Sequence, residues 1–315
     1  MDLELNSKCI CNHYLSNYKN NYIIYPCNHL IHFKCLSYLT SISCPYCHYK
    51  ISNIQSLKGL KNDLQKNIKK KQQYIDLLTV NDLSTSSKLN YFNIFKKLGT
   101  LLFLFGELQF VNNRKNLENI FEQIMGIFNI KIKVKNIEKL NRNPTIFIAN
   151  HTNYLDSFVL YKILNCNFLA SYFIKNVQFM KNIIDLLPIL LIKRGNDENT
   201  VTRIKNFMEK GNSLCIFPEG FMNHPKTLAR FRTGAFRTGF PVQPVLITYK
   251  PYVMNNSITT FLLNILSQDS IIVEITILDP EYPPFTSENI ERIRKKMGLI
   301  GNMSLSRVSN RDIID

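Results

Sequence analysis

The chain has 315 residues, of which 45% are hydrophobic and 20% charged, a globular balance that excludes a disordered polymer. Lys and Arg exceed Asp and Glu by 39 to 23, giving a net charge of +16, so an anionic partner is expected: nucleic acid, an acidic membrane or a phosphate-bearing substrate. The opening stretch MDLELNSKC has no basic region followed by an apolar one, so no cleaved signal peptide is expected, and cysteines clustered among histidines then read as metal ligands rather than disulfides.

Six of the eight cysteines fall within the first 47 residues. With the histidines between them they give eight candidate ligands: Cys9, Cys11, Cys27, His29, His32, Cys35, Cys44 and Cys47. Eight thiolate and imidazole donors satisfy two tetrahedral zinc ions. A segment of about 50 residues buries too little apolar surface to fold unaided, so metal would supply much of its folding free energy. Cys27-x-His29-x2-His32-x2-Cys35, followed by Cys44-Pro45-x-Cys47, resembles the RING-H2 zinc-finger family. That resemblance implies interleaved ligation, with Cys9, Cys11, His32 and Cys35 on one ion and Cys27, His29, Cys44 and Cys47 on the other. It also implies docking of a ubiquitin-conjugating enzyme through Ile10 and Pro45, hence a ubiquitin-ligase activity, with a zinc-stapled interaction module as the simpler reading. The chain departs from that family in its shorter first pair, C-x-C, and in having no tryptophan.

From 53 to 85 the texture becomes basic. Leu57, Leu60, Leu64, Ile68, Ile75 and Leu78 recur at helical spacing among lysines, which predicts an amphipathic helix over about 54–79 followed by a polar linker. No basic motif interleaved with aromatics is present, so nucleic-acid binding is not expected. Residues 86–129 are predicted as apolar helices. Within them YFNIFKKLGTLLFLFGELQFV carries Lys96, Lys97 and Glu107, leaving an uncharged run too short to span a bilayer. It fits equally a buried core helix and a helix lying in the plane of a membrane.

Residues 130–300 alternate short apolar runs with helical stretches, which predicts an α/β domain with a mainly parallel sheet flanked by helices. Strands are expected at IKIKV, TIFIAN, LPILLI (buried), LCIFP, PVQPVLITY and IIVEITIL. Helices are expected at YLDSFVLYKIL, at DENTVTRIKNFMEKG and at TSENIERIRKKMG, the last two closing at Gly211 and Gly298. Residues 301–315 form a tail. Several polar groups stand at strand ends, where α/β proteins build their sites. His151 follows TIFIA, with Asp156 five residues on, near enough to fix the imidazole tautomer. Glu219 and Gly220 follow SLCIFP, Arg194 follows LPILLIK, and Arg232 lies in ARFRTGAF. Cys166 and Cys215 sit in no nucleophile motif and read as packed core thiols.

NHTNYLD, LIKRGND, FPEG and PVQPVLITY, taken in order over about residues 100–297, resemble the PlsC-type glycerolipid acyltransferase family. The resemblance implies acyl transfer from acyl-CoA, as co-substrate, to the hydroxyl of a lysophospholipid or glycerol phosphate. By it His151 is the general base and Asp156 its orienting carboxylate. Glu219 and Gly220 bind the acceptor's glycerol backbone, and Arg194 and Arg232 grip its phosphate. It also implies the cytosolic face of a membrane, endoplasmic-reticulum-like or a lipid droplet. Phe221, where many members carry Thr, and His224, where Asn is common, leave the acceptor open.

Overall fold

The computed structural model describes residues 21–25, 29–32, 44, 51–56, 68–78, 89–176, 184–192, 197–254, 257–310 and 312. The chain divides into two compact units, Met1–Tyr74 and Ile75–Asp315.

In the first unit, β1 (Asn21–Tyr25) lies between β2 (His29–His32) and β3 (Asn53–Ser56), antiparallel to both. Ile24 faces His29 on one side and Ile54 on the other. The stretch NIQS therefore adopts a strand, although the helical periodicity placed a helix start there. Its alternation lets it complete a three-stranded sheet, and cross-strand pairing outweighs local propensity. Residues 68–78 are helical (α1). The remainder of the expected 54–79 helix lies outside the described residues. So do five of the eight candidate zinc ligands, Cys9, Cys11, Cys27, Cys35 and Cys47. Both histidines lie on β2, and Cys44 is buried.

The second unit is built on a seven-stranded sheet in the order β4-β11-β10-β5-β8-β6-β7. The strands are β4 (Ile130–Lys135), β5 (Ile146–Ala149), β6 (Asn167–Ser171), β7 (Ile189–Ile192), β8 (Leu214–Ile216), β10 (Val242–Lys250) and β11 (Ile271–Ile277). Every neighbouring pair is parallel except β10 with β11. Helices cover both faces: α2 (Tyr91–Glu107), α3 (Arg114–Ile127), α4 (Asp156–Leu164), α5 (Asp197–Met208), α6 (Ile258–Ser267) and α7 (Ser287–Ile300). The two-residue period of β5 shows why its sequence is apolar throughout. Phe147 and Ala149 pack with Val159 and Phe261 on one face, while Ile146 and Ile148 pack with Ile204 and Met297 on the other. Each such side chain contributes roughly 1.5–3 kcal/mol by leaving water.

Two expectations are corrected. LPILLI forms β7, but as an edge strand that is half-buried rather than buried, because among the described residues only β6 pairs with it. The helix begun by the Thr286 capping box passes through Gly298 and ends at Gly301. Met303 N donates to Gly298 O at 2.7 Å and Leu305 Cδ2 lies within 2.9 Å of where a Cβ would stand, so Gly298 serves the close approach of the following chain rather than a stop. That following chain, β12 (Ser304–Leu305), pairs in parallel with β9 (Thr227–Leu228).

On α2, Ile94, Leu101 and Leu104 are buried, while Tyr91, Phe92, Phe95, Leu102 and Phe103 are exposed, with Phe110 85% exposed just beyond. The helix is thus both a core helix on one side and an open aromatic surface on the other. Among the described residues, no helix is long and apolar enough to cross a membrane.

Candidate active site

The parallel register of β5 on β10 ends at the Ala149–Val245 pair. Asn150 prolongs it with its side chain: its amide donates to Ile247 O and accepts from Ile247 N, both at 2.9 Å. This bolts the next residue, His151, at the carboxyl edge of the sheet. Asn153 fixes the following turn by donating to Val253 O at 2.8 Å and accepting from Leu155 N at 3.1 Å.

The turn delivers Asp156 to His151, Nδ1 to Oδ2 at 2.9 Å. The same Oδ2 accepts from Thr152 N at 2.7 Å and Asn153 N at 2.9 Å, while Oδ1 accepts from Tyr249 Oη at 2.6 Å. Asp156 is fully buried, and burial together with the Asp156 charge pushes the Tyr249 hydroxyl well up, so that it keeps the proton it donates. A carboxylate that receives donors on both oxygens takes the Nδ1 proton as well, which leaves Nε2 of His151 bare. The imidazole lies flat on Phe217, ring centroids 4.0 Å apart and 14° from parallel. Its side chain is 22% exposed, and Nε2 has no protein partner among the described residues. The arrangement is a fixed base with one free nitrogen at the surface.

Phe217 begins the second motif. Glu219 is fully buried; Oε2 accepts from Asn223 Nδ2 at 2.6 Å and Ala229 N at 2.8 Å, while Oε1 has a long 3.4 Å contact from His151 N. The carboxyl therefore organises its own loop, and only Oε1 is lightly held. Desolvation pushes its pKa up to about 7 against the lowering effect of its N–H donors. Gly220 adopts φ +78°, and a side chain there would press on Arg232 Nε at 3.2 Å. Arg232 N in turn donates to Pro218 O at 2.8 Å.

Thus the structure brings together His151, Asp156, Glu219, Gly220 and Arg232. Arg194 lies outside the described residues. Sequence reading missed Asn223, Tyr249 and Phe217 as members of the site. Asn223 is legible in part, since it stands four residues after Glu219 and beside His224. Cys166 and Cys215 are buried, and burial pushes the Cys215 thiol well up, in keeping with core thiols.

The raised Glu219 gives a testable pH dependence. An ordinary glutamate in the unfolded chain loses its proton near pH 4.3, whereas the folded protein holds it to about 7. The stability from this group is fully present below the unfolded value and is lost as pH rises through about 7. Measured from about pH 5 to 8, the melting temperature of the wild type minus that of Glu219→Gln is expected to decline up to about 7 and level off above it. A constant difference would show an ordinary, ionised carboxylate.

Residues 131–248 match the Acyltransferase family model. The chain is 26% identical over 149 residues to the lysophospholipid acyltransferase LPEAT2 of Arabidopsis thaliana, covering 44% of this chain and 28% of that protein. It is 25% identical over 154 residues to the lyso-ornithine lipid O-acyltransferase of Pseudomonas aeruginosa, covering 44% of this chain and 60% of that one. The chain thus matches less than two thirds of the length of either relative. Among solved structures, the 1-acyl-sn-glycerophosphate acyltransferase PlsC of Thermotoga maritima aligns with a TM-score of 0.45 and 19% identity, over 67% of this chain and 87% of that one.

Proposed function

We propose that the protein transfers an acyl group from acyl-CoA to the free hydroxyl of a lysophospholipid or glycerol phosphate at a membrane surface. The observation that carries the reading is the His151–Asp156 pair, whose bare Nε2 stands at the sheet edge beside the Glu219-Gly220 turn. In this mechanism Nε2 takes the proton of the acceptor hydroxyl as its oxygen attacks the thioester carbonyl. Asp156 stabilises the imidazolium that forms. The tetrahedral adduct expels the CoA thiolate, which recovers the proton from Nε2, so atoms and charge return to balance. No acyl-enzyme is required. Arg232, lying on Gly220, and Arg194 supply guanidinium groups for the acceptor's phosphate. The relatives support a lyso-lipid acceptor, since their names describe acyl transfer to a lysophospholipid and to a lyso-ornithine lipid.

The membrane part of the reading rests on α2. Phe92 and Phe95, 76% and 78% exposed, lie with Phe103 and Phe110 along a stripe that also exposes Lys96. Aromatic bulk beside lysine suits the interface of an anionic phospholipid bilayer, which the +16 net charge also attracts. The N-terminal Cys/His set completes the reading as a zinc-stapled module with two ions. Its donor chemistry fits: thiolates and imidazoles in number for two tetrahedral sites.

The test uses the purified full chain with oleoyl-CoA and a panel of lysophospholipids, on anionic vesicles and in neutral detergent, reading free CoA thiol. Turnover is expected on both supports. Phe92→Ser/Phe95→Ser/Phe103→Ser is expected to lose turnover on vesicles and keep it in detergent, and metal analysis of the same preparation is expected to find two zinc ions per chain. Absence of thiol release with every acceptor would refute the enzymatic reading. Equal loss on both supports would refute the membrane role of α2.

A further inference from the structure

We propose that the C-terminal segment 304–310 is part of the acceptor site, with Asn310 as the residue that positions the Arg232 guanidinium; this rests on the reading of Arg232 as a phosphate ligand. Asn310 is 2% exposed, although it stands in a stretch outside the sheet and its helices. Its amide works in both directions. Nδ2 donates to Gly220 O at 3.0 Å, and Oδ1 accepts from Arg232 Nη2. One side chain therefore ties the acceptor turn to the arginine beside it, and a virtual Cβ on Gly220 would lie 3.3 Å from Asn310 Cγ. An arginine on a bare surface loses rotamer entropy when it binds an anion. One held in place beforehand has already lost it, which lowers the cost of binding.

The segment that carries Asn310 is itself firmly held. Ser304 N donates to Lys226 O at 2.8 Å, Ser306 N to Leu228 O at 3.0 Å, and Arg230 N to Val308 O at 3.0 Å. Buried Arg294 of α7 bridges the two runs by donating to Leu228 O at 2.9 Å and Ser306 O at 3.1 Å. Asp76 of α1 accepts from Ser306 Oγ at 3.0 Å and from Arg307 N at 2.9 Å. The stretch so braced includes Ala229, whose N–H holds Glu219. Both halves of the acceptor turn, its carboxyl and its arginine, thus lean on residues 304–310.

A purely structural Asn310 and a positioning Asn310 predict opposite results for one isosteric change. In Asn310→Asp the carboxylate keeps the Arg232 contact and strengthens it as an ion pair, while the bond to Gly220 O is lost. If the tie serves only stability, the loss of the bond to Gly220 O lowers the melting temperature while the kinetics stay at wild-type values. If Arg232 serves an anionic acceptor, the new negative charge neutralises it. The acceptor KM for oleoyl-lysophosphatidic acid is then expected to rise about tenfold or more, with the oleoyl-CoA KM and kcat within about twofold, whatever the melting temperature does. In the Arg232→Ala background, Asn310→Asp is expected to add less than twofold. Direct binding of lysophosphatidic acid to the full chain in neutral detergent, by calorimetry, separates this from the catalytic reading. Weaker binding by Asn310→Asp supports the proposal even if no acyl transfer occurs. An unchanged acceptor KM and affinity, equal shifts in both KM values, effects that add fully in the double variant, or a wild type that does not bind lysophosphatidic acid each overturn it.

Discussion

Replacing His151 with alanine is expected to lower acyl transfer by roughly 10²–10⁴-fold, the range that a positioned general base contributes, while the protein still folds. The ring is partly exposed, so its removal opens no sealed cavity, and Asp156 retains Thr152 N, Asn153 N and Tyr249 Oη as donors. The chief packing loss is the stack on Phe217, whose centroid lies 4.0 Å away. The measurement is single-turnover release of CoA thiol, alongside a melting curve. Because the His151 ring is partly exposed and its Nε2 has no protein partner among the described residues, added imidazole should restore part of the rate to the alanine variant. Wild-type turnover in this variant would rule out the mechanism, whatever the lipid.

The second large effect concerns Asp156, where two substitutions should separate stability from rate. Asp156→Ala leaves the Thr152 and Asn153 amides, the Tyr249 hydroxyl and the His151 Nδ1–H without their acceptor inside a buried site. Removing one partner of such a group costs roughly 3–5 kcal/mol, a large share of the 5–15 kcal/mol that holds a typical domain together. A melting temperature lower by about 10 °C, with poor yield, is the expected result. Asp156→Asn behaves differently. Two backbone N–H groups converge on the Oδ2 position, so the amide oxygen must occupy it, and the amide nitrogen then faces Tyr249, whose oxygen can accept. The imidazole keeps its tautomer and loses only the charge opposite the imidazolium. A hydrogen bond to a charged group is worth about 1.5–3 kcal/mol, so turnover should drop by roughly 10–100-fold with the fold intact. A loss as large as that of His151→Ala would mean that the amide has flipped and the tautomer is wrong.

The parts of this protein that could be read in its sequence are those whose partners are close along the chain. His151 and Asp156 are five residues apart and meet within one turn. Glu219 and Gly220 are adjacent, and the burial of β5 on both faces shows as an unbroken apolar run. The parts that stayed hidden are joined by folding alone. Tyr249 reaches Asp156 across 93 residues and Asn310 reaches Gly220 across 90. No local spacing announces either pair. Asn167–Ser171 and Ile258–Ser267 were missed for a different reason. NFLAS lacks alternation and β-branched residues. ITTFLLNILS opens on β-branched residues and is apolar around most of its circumference, so neither period stands out. Asn53–Ser56 shows the converse: a helical rhythm continued across residues that pairing with β1 holds as a strand.

On the proposed membrane reading, the open aromatic side of α2 would change what a substrate concentration means for this protein. Seated by that side, the proposed catalyst would meet its acceptor by lateral diffusion within a lipid leaflet, not by collision from bulk water. Its rate then follows the mole fraction of acceptor among the surrounding lipids. Adding inert phospholipid at fixed total acceptor would slow it by dilution in two dimensions, while acyl-CoA continued to be drawn from the aqueous side.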